Sequence, residues 1–225
     1  WDRDRTWPER VTPSNALAAN TTIATPVLLG YALGKAQEIL KFLADAGYRC
    51  APEIVRAFER ILKAPDADFS VLDDMHTTGF LEAFIPEFRS VSNRIQYDEY
   101  HLFPVDKHLL RTVQTVKQLA AEGGEPLFAR VWRELKGKDV LTWAALLHDV
   151  GKAEIPSEIL SAPRKLTLEE FEVMKSHPSI GERLIRQISR LGEDVALGAL
   201  EHHEKLDGSG YPKGLQKISF HGQLI

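Results

Sequence analysis

The sequence contains a single cysteine, Cys50, so an internal disulfide is excluded. It also has no uninterrupted apolar run approaching the roughly 20 residues that a membrane-spanning helix needs. We therefore expect no membrane segment here, and a reducing cytoplasm fits the lone thiol. The opening stretch WDRDRTWPER has neither a methionine nor an apolar signal core, so we interpret the sequence as a fragment of something longer.

An excess of positive charge is absent as well. The formal net charge is -4, which offers no basic footprint for a nucleic-acid polymer. The chain has the composition of an ordinary folded protein, with 44% hydrophobic and 27% charged residues. Its 225 residues could form one large domain or two small ones, with enough length to bury a core.

The sequence has no sustained alternation of apolar and polar residues, which would indicate strands. Its apolar residues recur instead at helical spacing. Pro52 suits the first turn of a helix, and a second helix is predicted over Val105–Glu122. Thr167 and Glu170 have the spacing of a capping box. These patterns predict an all-α fold.

The chain divides by pattern into three parts. Residues 1–30 mix charged and turn-forming residues without a sustained period, which is typical of a leader or linker. Residues 31–95 form an N-terminal helical segment, including a helix expected from Lys35 to Gly47. Residues 96–225 then form the C-terminal domain.

The stretch LTWAALLHDVGK, residues 141–152, organises this domain. Its helix is apolar on nearly every side and should therefore be buried. An ionised carboxylate at Asp149 needs a compensating cation in such a place. His148 beside Asp149 suits iron, manganese or zinc, although a helix-capping pair is the simpler alternative for an isolated His-Asp dipeptide.

Further histidines raise the case for a metal site. Helical segments expected to converge on Asp149 carry His108, His148, His177, His202 and His203. A helix is predicted over Asp194–Lys205. Within it the adjacent His202 and His203 would diverge by about 100°, which suits two neighbouring ions. We interpret His76 and His101 as structural or surface histidines.

The segments HDVGKAEIPSEIL, LTLEEFEVMKSHPSIG and HHEKLDGSGYPKGL resemble the HD-GYP branch of the HD metal-dependent phosphohydrolases. The resemblance runs from about His108 to the end and implies an HD-domain helical bundle, preceded by the smaller helical segment. It also implies two divalent transition metal ions, with Asp149 bridging them. One ion would be held by His108, His148 and Asp149, and the other by His177, His202 and His203. Iron or manganese is favoured over zinc because no thiolate lies nearby.

The same resemblance implies hydrolysis of cyclic di-GMP to its linear dinucleotide by a metal-bridging hydroxide. It gives catalytic roles to Asp149 and Lys152, with Lys152 also contacting the scissile phosphate. Gly210 and Tyr211 would contact the substrate. The simpler alternatives are a solvent-exposed Lys152 and a merely rigid turn over Asp207–Pro212, whose two glycines tolerate positive φ.

Two departures from the family pattern limit the resemblance. Members with a third metal carry a glutamate one helical turn before the first histidine, where this chain has Pro104. A two-metal site is therefore expected. The family's final aspartate ligand would fall beyond Ile225, so we expect the bundle to be C-terminally incomplete.

Two other functions stay open. The stretch MHTTGFLEAFIPEFRSVSNRIQYDEYHLFPVDKHLL resembles the entry into the HD domain of bifunctional uridylyltransferase/uridylyl-removing enzymes. That resemblance implies removal of a nucleotidyl group from a signalling protein, although those enzymes lack the Gly208–Pro212 loop. A non-catalytic HD-type sensor module, with regulatory domains in a longer chain, is the third possibility.

Overall fold

The computed structural model describes residues 45–64, 70–96, 104–120, 126–219, 221–223 and 225. All regular elements within these ranges are helical, and the predicted all-α fold is confirmed. The first part contains α1 (Ala46–Arg49), α2 (Pro52–Lys63), α3 (Ser70–Thr77), α4 (Phe80–Phe84) and α5 (Pro86–Arg89). The central part contains α6 (Val105–Ala120), α7 (Pro126–Glu134), α8 (Lys138–Leu147) and a 3₁₀ helix (Val150–Glu154). The last part contains α9 (Ser157–Leu160), α10 (Leu168–Met174), α11 (His177–Arg186) and α12 (Glu193–Glu201).

Helix α8 lies at the centre of the bundle. Every residue from Leu141 to Leu147 is buried, as the apolar pattern predicts for a helix with no polar face. It packs against α2, α6 and α12, while α11 packs against α12 and the 3₁₀ helix. The C-terminal end of α8 is therefore enclosed by the elements that carry the other candidate ligands.

The amphipathic helix α2 begins at Pro52 as predicted and closes one side of α8. Its Phe58 ring lies 5.1 Å from the Trp143 ring and 4.7 Å from the Phe84 ring, measured between centroids. One continuous apolar core extends from Phe58 to Ala199 and so crosses the predicted border at residues 95 and 96. The division into three parts stays a prediction.

The capping box that begins α10 is present. The Thr167 hydroxyl accepts the amide of Glu170, and the Glu170 carboxylate accepts the amide of Thr167. The helix expected from Lys35 lies largely outside the described residues, as does the end expected for α6 at Glu122.

Helix α12 is shorter than predicted. It ends at Glu201 instead of continuing to Lys205. His202 and His203 therefore follow the helix, and their rings lie 4.2 Å apart between centroids.

None of the helices in the described ranges is both long and apolar enough to cross a membrane.

Candidate metal centre

The candidate site begins where α8 ends. His148 and Asp149 are 4% and 1% exposed, so both are buried as expected. Gly151, two residues after Asp149, lies against the first turn of α11: a Cβ atom there would be 1.9 Å from the carbonyl oxygen of His177. The absence of a side chain at Gly151 thus brings Asp149 and His177 together.

The two oxygens of the Asp149 carboxylate face different histidines. Oδ1 lies 3.2 Å from Nε2 of His177 and 3.5 Å from Nε2 of His202. Oδ2 lies 3.5 Å from Nε2 of His148 and 3.7 Å from Nε2 of His108. One buried carboxylate therefore stands between two sets of imidazoles.

Backbone carbonyls fix the proton on three of these rings. In each ring, Nδ1 faces the backbone carbonyl oxygen of the residue three positions earlier. The distances are 3.1 Å from His148 to Ala145, 2.7 Å from His177 to Met174 and 2.7 Å from His202 to Ala199. A carbonyl only accepts hydrogen bonds, so Nδ1 carries the proton in each neutral ring. Each Nε2 then presents a lone pair towards Asp149, which is the tautomer a metal ligand requires.

The lone pairs of the Nε2 atoms face one another at short range. Nε2 of His177 is 3.2 Å from Nε2 of His202, and both rings have already placed their protons on Nδ1. Oδ1 of Asp149 is buried, and no described residue gives it a hydrogen bond. Lone pairs and a carboxylate oxygen converging without a proton require a cation between them. The residues present therefore fit a divalent metal ion.

The pKa values favour the same protonation states. Burial lowers the pKa of His148 and of His177 below the usual imidazole value, and burial with the neighbouring His202 lowers the pKa of His203 to about 2. Burial alone would raise the pKa of Asp149, but the Lys152 ammonium and His148 hold it well below its usual range. Neutral imidazoles around an ionised carboxylate are the ligand forms that metals bind.

The ligand atoms form two groups, each lying within 4.8 Å. One contains His108, His148 and Asp149, and the other contains Asp149, His177, His202 and His203. The two adjacent histidines, His202 and His203, belong to the same group. The structure thus brings together all six predicted ligand residues, and Asp149 belongs to both groups.

Lys152 is buried, not solvent-exposed. Its side chain is 2% exposed, and Nζ donates to Oδ2 of Asp149 across 2.7 Å. The ammonium therefore compensates part of the carboxylate charge and lies at the edge of the candidate metal centre.

The Asp207–Pro212 loop lies against the second group. The Tyr211 ring stacks on the His203 ring, with centroids 4.6 Å apart and 22° between the planes. Of the two glycines, only Gly208 has a positive φ, of 79°. Gly210 is required by contact instead, because a Cβ there would lie 2.3 Å from the amide nitrogen of Lys205.

Two buried glutamates with no role predicted from the sequence hold the chain that follows this loop. Glu204 accepts the amides of Lys213 and Leu215 at 2.6 and 2.7 Å, and Glu201 accepts the amide of Ser219 at 2.7 Å. The signal was available in the sequence, since acidic residues flank His202 and His203 directly after a buried helix. These carboxylates tie the chain after α12 to the helix that precedes the two histidines.

His76 lies apart from the metal centre, in agreement with its interpretation as a structural histidine. Its Nδ1 is 2.5 Å from Oε1 of Glu82, and its Nε2 is 3.3 Å from Oδ2 of Asp106. His101 lies outside the described residues.

The family model described as "HD domain" matches residues 102–225, and the chain belongs to this family. The family implies binding of a divalent metal, in agreement with the donors found here.

Individual relatives match shorter stretches. The chain is 49% identical over 81 residues to a cyclic di-GMP phosphodiesterase of Thermotoga maritima, a match covering 34% of this chain and 21% of that protein. It is 44% identical over 127 residues to a cyclic di-GMP phosphodiesterase of Vibrio cholerae, covering 52% and 26% of the two chains. A bifunctional uridylyltransferase/uridylyl-removing enzyme of Methylococcus capsulatus is 35% identical over 113 residues, covering 49% and 13%. The matches span about a quarter or less of each relative.

Proposed function

We propose that this protein is a metal-dependent phosphodiesterase that hydrolyses cyclic di-GMP to the linear dinucleotide. The observation that carries the proposal is the position of Asp149, whose two carboxylate oxygens face separate sets of metal-ligating nitrogens. The similarity to cyclic di-GMP phosphodiesterases supports the choice of substrate.

The centre would hold two divalent transition ions. His108 and His148 would bind one ion, His177, His202 and His203 would bind the other, and Asp149 would bind both. Iron and manganese suit this nitrogen and oxygen donor set best, and zinc is the third candidate. When bound, such ions polarise a phosphoryl group and lower the pKa of water towards neutrality.

Lys152 would hold the scissile phosphate. Its ammonium already lies at the edge of the centre, on the Oδ2 side of Asp149. As a point charge with three donors, it can orient a phosphate and offset the negative charge that grows in the transition state. Burial strengthens this interaction because little water competes for the ammonium.

The loop containing Gly210 and Tyr211 would form a wall of the substrate groove. Tyr211 stacks on His203, which is a proposed ligand of the second ion, so the Tyr211 ring lies next to that ion site. The backbone at Gly210 is closely packed on Lys205, so this wall is fixed before substrate arrives.

Removal of a nucleotidyl group from a protein is the second candidate, and the similarity to the Methylococcus capsulatus enzyme favours it. The Asp207–Pro212 loop argues against it, since that loop is foreign to the uridylyl-removing pattern. A sensor module without catalysis is disfavoured because all five histidines, Asp149 and Lys152 are present together at one site.

Product analysis on the full-length, metal-loaded protein separates these functions. Cyclic di-GMP and a uridylylated protein are offered in parallel, and products are resolved by chromatography, with a chelated sample as control. We expect linear dinucleotide from cyclic di-GMP and no UMP. Release of UMP with cyclic di-GMP intact would overturn the proposal in favour of the second candidate.

A further inference from the structure

Arg94 reaches the candidate site from outside the region that the family model matches. It follows α5 and precedes residue 102, where the match begins. Its NH1 donates to the carbonyl oxygen of Lys152 at 3.2 Å and to that of Ile155 at 3.0 Å. One guanidinium nitrogen thus binds the backbone on both sides of the C-terminal end of the 3₁₀ helix.

These carbonyls need a donor from elsewhere. The last carbonyls of a helix have no full set of partners within it, and the hydrogen bonds of a 3₁₀ helix have poor geometry. The Ile155 amide approaches the Lys152 carbonyl only at 3.3 Å. A charged donor makes a stronger hydrogen bond than a neutral amide. Arg94 therefore constrains the C-terminal end of the 3₁₀ helix more strongly than the Ile155 amide does.

The backbone of Arg94 is fixed to the helix that carries His108. Its carbonyl accepts the amide of Val105, the first residue of α6, at 2.9 Å. The preceding residue, Asn93, donates its amide to Oδ2 of Asp106 at 2.7 Å. Arg94 therefore joins the beginning of α6 to the backbone that presents Lys152.

We propose that Arg94 is a positioning residue that acts through Lys152. It sets the 3₁₀ backbone from which the Lys152 ammonium reaches Oδ2 of Asp149, because its side chain donates hydrogen bonds to the backbone carbonyls of Lys152 and Ile155. The effect on turnover rests on the proposed function, since Lys152 is there assigned to the scissile phosphate.

A double-mutant cycle tests this coupling in the full-length, metal-loaded protein. We expect Arg94→Ala to lower kcat on cyclic di-GMP by about tenfold with metal content unchanged, because small displacements of a positioned group are costly. In a Lys152→Ala background the same change should lower kcat by less than about twofold, since coupled effects are not additive. An equal loss in both backgrounds would overturn the proposal.

Arg89 supplies the matched control, because it is an exposed arginine on α5 outside the proposed site. Arg89→Ala should leave kcat unchanged. If Arg94→Ala fails to fold, Arg94→Lys keeps the charge without the planar fork and enters the same cycle.

Amide hydrogen exchange gives a readout that does not depend on activity. Exchange across residues 150–155 should be faster in Arg94→Ala than in the wild type and in Arg89→Ala, and unchanged exchange would refute the contact's role. If the wild type cleaves no phosphodiester, the proposed function fails, while the exchange comparison still decides whether Arg94 fixes this backbone.

Discussion

Oδ2 of Asp149 lies 2.7 Å from Nζ of Lys152, and each of the two side chains is only 2% exposed. The same oxygen faces His108 and His148. A carboxylate that pairs with the Lys152 ammonium and also binds metal must be ionised. Removing this carboxylate therefore affects both the buried ion pair and metal binding. Substitutions at the two residues should therefore have different consequences for metal and for turnover.

Asp149→Asn should lose both metals. The amide is neutral and offers one oxygen in place of two, so it cannot bridge two sets of ligands. The buried Lys152 also loses its counterion, and breaking a buried pair in this way costs about 3–5 kcal/mol in the metal-free protein. Metal analysis and urea unfolding measure the two effects. Glu158→Gln, at an exposed position, is the control, and full metal content in Asp149→Asn would contradict the bridging role.

Lys152→Ala should keep its metals and lose turnover. The six proposed ligands are unchanged, whereas removal of one charged donor to a reacting group lowers kcat by about 10²–10³. Metal content and kcat are measured on the same preparation, with the exposed Lys217→Ala as control. Wild-type activity in Lys152→Ala would show that its ammonium has no role in catalysis.

Gly151→Ala should destabilise the protein and weaken metal binding together. The added methyl group would collide with the His177 carbonyl at 1.9 Å and force α11 away from Asp149, at a cost of about 3 kcal/mol or more. Gly192 is the matched control because an added Cβ would meet no atom within 4 Å. Gly192→Ala should cost less than about 1 kcal/mol in thermal unfolding. Equal effects of the two substitutions would count against the close packing at Gly151.

The metal-free protein should become less stable as the pH falls from about 7.5 to about 5.5. The pKa values of His148, His177 and His203 are lowered in the folded state, whereas unfolded histidines titrate near pH 6.5. Below that pH the unfolded chain binds protons that the folded chain rejects, so the free energy of unfolding decreases. Urea unfolding with a chelator present measures this slope. His203→Asn should make it shallower, and a free energy independent of pH would refute the prediction.

Much of the site follows from local sequence rules. The buried helix α8, the capping box at Thr167 and the gathering of histidines around Asp149 were predicted, because each depends on residue type and short spacing. The predicted fold class followed from helical periodicity in the same way.

Contacts between distant segments could not be predicted. The partners of Glu204 and Gly210 are backbone groups, which every residue carries, so the sequence does not identify the segment that each one contacts. Burial of Lys152 escaped prediction because it depends on the carboxylate and helices folded around it. The end of α12 was misplaced because no glycine or proline interrupts the sequence between Glu201 and Gly208.

The contact of Phe58 with Trp143 bears on how this protein can be dissected. A fragment starting at residue 102, where the family match begins, would remove α2 and leave the Trp143 face of α8 open to water. Burying an aromatic side chain contributes about 2–3 kcal/mol, and the lost aromatic contact adds to that. The apolar core thus extends beyond the segment that the family model matches, and a fragment without the preceding helices should be less stable because they cover one face of the helix that leads to His148 and Asp149.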